Sequence, residues 1–104
     1  MLRAALIAVC VAFFPVAALA AGKTHTVRIE GMQFNPARIE VAAGDTVVWT
    51  NKDVVPHTVT ASRAKVESGE IAPGKSWRFV AKKKGETPYI CRIHPTMKAV
   101  LVVE

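Results

Sequence analysis

The chain has 104 residues, a net charge of +6 and two cysteines, a length that fits one small domain. The charge is basic but moderate, and no basic-aromatic motif accompanies it, which argues against nucleic-acid binding. Two cysteines are too few for a disulfide framework.

The chain opens with the marks of an export signal. Met1-Leu2-Arg3 gives a short positive start, Ala4 to Leu19 is almost wholly apolar, and Ala18-Leu19-Ala20 fits a small-x-small cleavage site. The apolar run is short for a membrane span, and Pro15 interrupts it. Removal of residues 1–20 is therefore expected, leaving a single domain over 21–104 that is periplasmic, not membrane-anchored and monomeric. Cys10 leaves with the signal, so Cys91 remains without a thiol partner. An unpaired thiol in an oxidising compartment needs something to hold it.

After residue 21, short alternating segments separated by turn signals replace any helical periodicity. Thr26–Glu30 places Val27 and Ile29 on one face, and Arg38–Val41 does the same with Ile39 and Val41. A tight turn at Ala43-Gly44-Asp45 leads into Thr46–Asn51, with Val47 and Trp49 facing one way and Val48 the other. His57–Thr60 reads as a strand, and residues 61–69 as irregular with room for one helical turn. Pro73-Gly74 turns the chain into Ser76–Val80, where Trp77 and Phe79 alternate. Lys82-Lys83-Lys84-Gly85 is the next turn, followed by strands at Thr87–Cys91 and Ala99–Val103. Seven to eight short strands in so short a chain imply an all-β sandwich.

The chemistry concentrates in Cys91-Arg92-Ile93-His94-Pro95-Thr96-Met97, which sets a thiolate, an imidazole and a thioether at i, i+3 and i+6. Thiolate and thioether are soft ligands that select copper, and Cys-His₂ with a weak axial Met is the blue-copper set. His57, after Pro56, supplies the second imidazole. Pro95 fixes its own φ and restricts His94 before it, so the loop is stiff. Competing readings fit less well. Haem attachment needs a second cysteine, structural zinc favours four Cys and His ligands, and a catalytic Cys-His pair lacks a visible third, orienting group. The blandest alternative is a buried Cys, a surface His and a core Met with no shared role.

From about Thr24 to Glu104 the chain resembles the small cupredoxins of the amicyanin-like and plastocyanin-like group. The resemblance rests on Val41-Ala42-Ala43-Gly44-Asp45-Thr46-Val47-Val48-Trp49, on Asn51 followed by Pro56-His57-Thr58-Val59, and on Tyr89-x-Cys91-x-x-His94-Pro95-x-Met97. It implies a Greek-key β-sandwich holding one copper ion per chain. Cys91 would be the strongly bonded ligand, His57 and His94 equatorial, and Met97 the long axial one. It also implies supporting roles for Asn51, Thr58 and Pro95, with the Thr58 amide donating to the cysteine sulfur. The function so implied is single-electron transfer between a redox protein donor and acceptor, through His94 as electron port; copper storage or delivery is the alternative.

Met32, Phe34 and Pro36 either rim a contact face near the copper end or simply close the core. Arg92 and Lys98, with Lys52, would supply docking charge there. The Lys82–Lys84 run lies six strand residues from Cys91, roughly 20 Å away, and is assigned to solubility. His25 is expected to be a solvated strand-start histidine, and Trp49 and Trp77 to be core packing.

Overall fold

The computed structural model describes residues 22–104, so the leader, its cleavage point and the first residue of the domain lie outside the described residues. Among these residues nine strands form: β1 (Thr24–Ile29), β2 (Phe34–Asn35), β3 (Arg38–Val41), β4 (Thr46–Asn51), β5 (Thr60–Ala61), β6 (Val66–Glu67), β7 (Ser76–Val80), β8 (Gly85–Ile90) and β9 (Lys98–Val103). Among the described residues, a 3-10 turn occupies Ser62–Ala64. The strands assemble into two sheets, ordered β2-β1-β4-β7 and β3-β9-β8-β5-β6. The β1–β4 and β3–β9 pairs are parallel and the others antiparallel, so both sheets are mixed.

Alternation decides which face is buried. Val27 and Ile29 of β1, Ile39 and Val41 of β3, Val47 and Trp49 of β4 and Leu101 and Val103 of β9 all enter one core. Three of the nine strands, β2, β5 and β6, are two residues long. A segment that short cannot display a period, which is why the sequence suggests seven or eight.

The strand expected at His57–Thr60 is largely replaced by irregular chain. Only Thr60 joins β5, and His57 makes an isolated bridge to Ile71. The intervening amides have side-chain partners instead of a neighbouring strand: Thr58 donates to Cys91 Sγ and Val59 to Ser68 Oγ. The competing hydrogen bonds displace the ladder.

One hydrogen bond ties the sheets across the core. Trp49 Nε1 donates to the Tyr89 hydroxyl at 3.1 Å, and the two rings meet edge-to-face. Burial pushes the Tyr89 phenol up to about 12, against a smaller opposing effect of the Trp49 bond, so it stays neutral. Trp49 is a core residue, as expected, and Trp77 packs on it from the adjacent strand, partly buried against the core.

The end of the sandwich away from Cys91 is closed by Asp45. Its buried carboxylate accepts from the backbone amides of Lys23 and Ala42 and pairs with the His25 ring at 2.8 Å. Gly44 precedes it at φ 97°, a conformation that favours glycine and permits the tight turn. His25 is thus a half-buried partner of Asp45, where the sequence suggested a solvated residue. The side chain sits on the inward side of β1, so its polar ring finds a carboxylate and not water.

Two consequences are measurable. Trp49→Phe leaves the buried Tyr89 hydroxyl without its donor and should cost about 1–3 kcal/mol in urea unfolding. The His25 bond, the Ala42 and Lys23 amides and the His25 charge together hold Asp45 below the usual carboxylate range, against partial desolvation. A depressed folded pKa contributes stability above the unfolded value of about 3.9, and that contribution is lost as pH falls through the folded pKa. Asp45→Asn should therefore lower the melting temperature at neutral pH and flatten its decline below about pH 4 in thermal scans.

Candidate metal centre

Four side chains named from the sequence meet at one end of the sandwich. Cys91 follows directly on β8, and Met97 precedes β9, so the intervening loop must reverse between two paired strands. It does so with its own bonds: the Cys91 amide donates to the Met97 carbonyl at 3.1 Å and the Met97 amide to the His94 carbonyl at 2.9 Å. Pro95 lies exposed at the tip. His57 arrives from the other side on the loop after β4, anchored to Ile71 by backbone bonds in both directions.

The donor atoms form a small triangle. Cys91 Sγ lies 3.8 Å from His57 Nδ1 and 3.7 Å from His94 Nδ1. All three atoms fall within 4.8 Å of one another. Ligands placed about 2.1 Å from a central ion in a trigonal plane would be separated by about 3.6 Å, so the two sides through the sulfur match a metal-sized gap. Cys91 and His57 are fully buried, Met97 is 4% exposed, and His94 is half-buried. The soft Cys and Met donors with two imidazoles suit copper better than zinc.

A second set of groups holds this triangle. The Thr58 amide donates to Cys91 Sγ at 3.3 Å, as the resemblance implied. Fully buried Asn51 organises the His57 loop: its amide donates to the carbonyls of Val55 and Ile71, and its oxygen accepts from the Asp53 amide.

Asp53 is the residue that sequence reading missed. Its Oδ2 lies 2.8 Å from His57 Nε2, and its two oxygens also accept from the amides of Gly31 and Met32. Desolvation opposes its charge, but the Met32 and Gly31 amides and the His57 ring prevail and lower its pKa. A histidine that offers Nδ1 to a metal carries its proton on Nε2, and Asp53 accepts there, fixing the ring. The only hint in the sequence is a carboxylate four residues before a histidine, a common spacing in any loop.

Asp53 also supplies the orienting group that a Cys-His catalytic pair was thought to lack. The arrangement still does not resemble a nucleophile site, because Cys91 is fully buried and His94 stands against its sulfur as closely as His57 does. A cleft of about 640 Å³ between Thr60–Ala64 and Lys83–Ile90 contains none of the four donors.

The residues expected at a partner surface divide. Phe34 is only 2% exposed and packs edge-on against Tyr89, so it closes the core and offers no contact surface. Met32 stands exposed beside it, because its positive φ turns the chain outward there. Arg92 is bound to Glu67 at 2.8 Å, whereas Lys98 and Lys52 are exposed and make no ion pair among the described residues. Lys82–Lys84 lie exposed where β8 begins, at the end opposite Cys91.

Comparisons with known proteins agree with this geometry. The cupredoxin-like domain family matches residues 3–103. Amicyanin-alpha of Methylorubrum extorquens is 32% identical over 89% of this chain and 91% of its own length. A chloroplastic plastocyanin of Tetradesmus obliquus is 32% identical over 59% of this chain, which spans half of that protein. A solved Cu(I) form of an amicyanin variant superposes with a TM-score of 0.75 at 27% identity, covering 85% of this chain and 89% of that one. With its all-β sandwich and its Cys91-centred donor cluster, the chain belongs to the family of cupredoxin-like domains.

Proposed function

We propose that this chain is a periplasmic type 1 copper protein that carries single electrons between redox partners and has no catalytic reaction of its own. The triangle of Cys91 Sγ, His57 Nδ1 and His94 Nδ1, with 3.7–3.8 Å from the sulfur to each ring nitrogen and all three donors within 4.8 Å, carries the reading. Cys91, His57 and His94 would hold one copper ion, with Met97 as the weak fourth donor. Bound copper supplies a one-electron Cu(I)/Cu(II) couple.

The protein's contribution is rigidity and access. Asp53 and Ile71 fix His57, the Thr58 amide fixes the sulfur, and the Cys91–Met97 and Met97–His94 bonds fix the loop. Donors so restrained change little between oxidation states, which keeps the reorganisation cost of electron transfer low. Three buried donors also suit retention of the metal better than release to an acceptor. His94 is the one half-buried donor, and it serves as the electron port.

Around that port the loops expose Val54, Met32, Ile93 and Pro95, with Val54 92% exposed. Exposed apolar groups of this kind mark contact sites. With Lys52 in one of these loops and Lys98 at the start of β9, the partner face should be apolar and rimmed with carboxylates.

Redox cycling separates the carrier from a copper store. Protein loaded with one equivalent of copper should show a reversible one-electron couple by voltammetry, and it should keep the metal through repeated cycles beside a Cu(I) chelator. Cys91→Ser should lose the couple. Transfer of the copper to the chelator on first reduction would defeat the carrier reading.

A further inference from the structure

A chain of polar contacts leaves the donor cluster and ends on a carboxylate outside it. The Arg92 amide donates to Thr58 Oγ1 at 2.9 Å, Thr58 Oγ1 lies 2.8 Å from Thr60 Oγ1, and Thr60 Oγ1 donates to Glu67 Oε1 at 3.2 Å. The Arg92 side chain donates to the same Oε1 through Nε, and the Gly69 amide occupies Oε2. Arg92 is therefore gripped twice, by its backbone and by its guanidinium, and the circuit closes on itself.

The chemistry of the end group sets the direction of the whole chain. An ionised carboxylate only accepts, and each hydroxyl has one proton to give. Thr60 gives its proton to Glu67, so Thr58 must give its own to Thr60. The Thr58 oxygen is then left to accept the Arg92 amide. Thr58 and Thr60 are buried, so water does not compete freely for these bonds. Thr58 also carries the amide that donates to Cys91 Sγ.

We propose that Glu67 is a positioning residue for the metal centre: by fixing the direction of this chain it holds the Thr58 amide on the Cys91 sulfur and thereby raises the reduction potential of copper bound there. The inference rests on the copper reading above. A hydrogen bond to the sulfur stabilises negative charge on it, and that charge is greater in the reduced state, so the bond favours Cu(I). Glutamine at 67 would set an N–H donor against one of the donors that now converge there, whichever way the amide is turned. Slackening the chain weakens the N–H···S bond and lowers the potential.

The test compares five variants by voltammetry and by the visible absorption of the oxidised protein. Glu67→Gln and Thr60→Val should each lower the midpoint potential and move the sulfur-to-copper band to longer wavelength. Their combination should add little, since both break one chain. Thr60→Ser, which keeps the hydroxyl, should restore wild-type values. Glu70→Gln should match wild type, because it removes the same charge from an exposed residue with no ion pair among the described residues. In the copper-free protein, the Thr58 amide should exchange its hydrogen roughly five- to tenfold faster in Glu67→Gln and Thr60→Val. Potentials and Thr58 exchange that stay at wild-type values while melting temperatures fall would overturn the proposal and leave Glu67 as a brace for the loop. A wild-type protein that forms no blue site with Cu(II) would defeat the copper reading instead, and the exchange measurement would still decide what Glu67 does.

Discussion

A buried thiol beside two imidazoles is the constraint around which the structure is organised. Cys91 Sγ is fully enclosed and lies 3.7–3.8 Å from two ring nitrogens. Three donors brought so close, two of them fully buried, have little reason to stay together unless a cation joins them. His57 lies on the crossing from β4 in one sheet to β5 in the other, and Cys91 lies between β8 and β9 of the second, so the site depends on how the two sheets are held. The Trp49–Tyr89 bond spans those sheets, and Tyr89 is two residues from Cys91 on the same chain segment. Core packing and metal geometry are thus coupled through β8.

The same constraint explains the irregular chain around the site. Regular pairing through His57–Thr60 would have placed the Thr58 and Val59 amides on a neighbouring strand. They turn instead to Cys91 Sγ and Ser68 Oγ. Polar residues that look like loop filler turn out to be supports: Asn51 shapes the His57 loop, Asp53 joins that loop to the Gly31–Met32 turn, and Glu67 joins β6 to Arg92. Each is a short bridge between segments far apart in sequence. Together they restrain the donors before any metal arrives, which suits a centre that must change oxidation state with little movement.

The fold and the donors were largely legible because both have local signatures. Alternation in β1, β3 and β4 is a period read within five residues, and the Cys91–Met97 spacing sits on one loop. What escaped was long-range or too short to repeat. The strands β2 and β6 carry no period, and Phe34 differs from Met32 only in which side of a turn it faces. The partners of Asp53 and Glu67 lie up to 25 residues away, so no spacing rule reveals them. The pairing of exposed Arg92 with Glu67 is likewise invisible to spacing. His25 looked solvated for the same reason, since Asp45 lies 20 residues on.

The central claim is that Cys91 bonds directly to copper as a thiolate within this frame. It is tested most directly by titrating the purified, metal-free protein with Cu(II) and recording the visible absorption. The account predicts an intense blue band that grows linearly and stops at one equivalent. A weak, pale copper spectrum with no sulfur-to-copper band would contradict it.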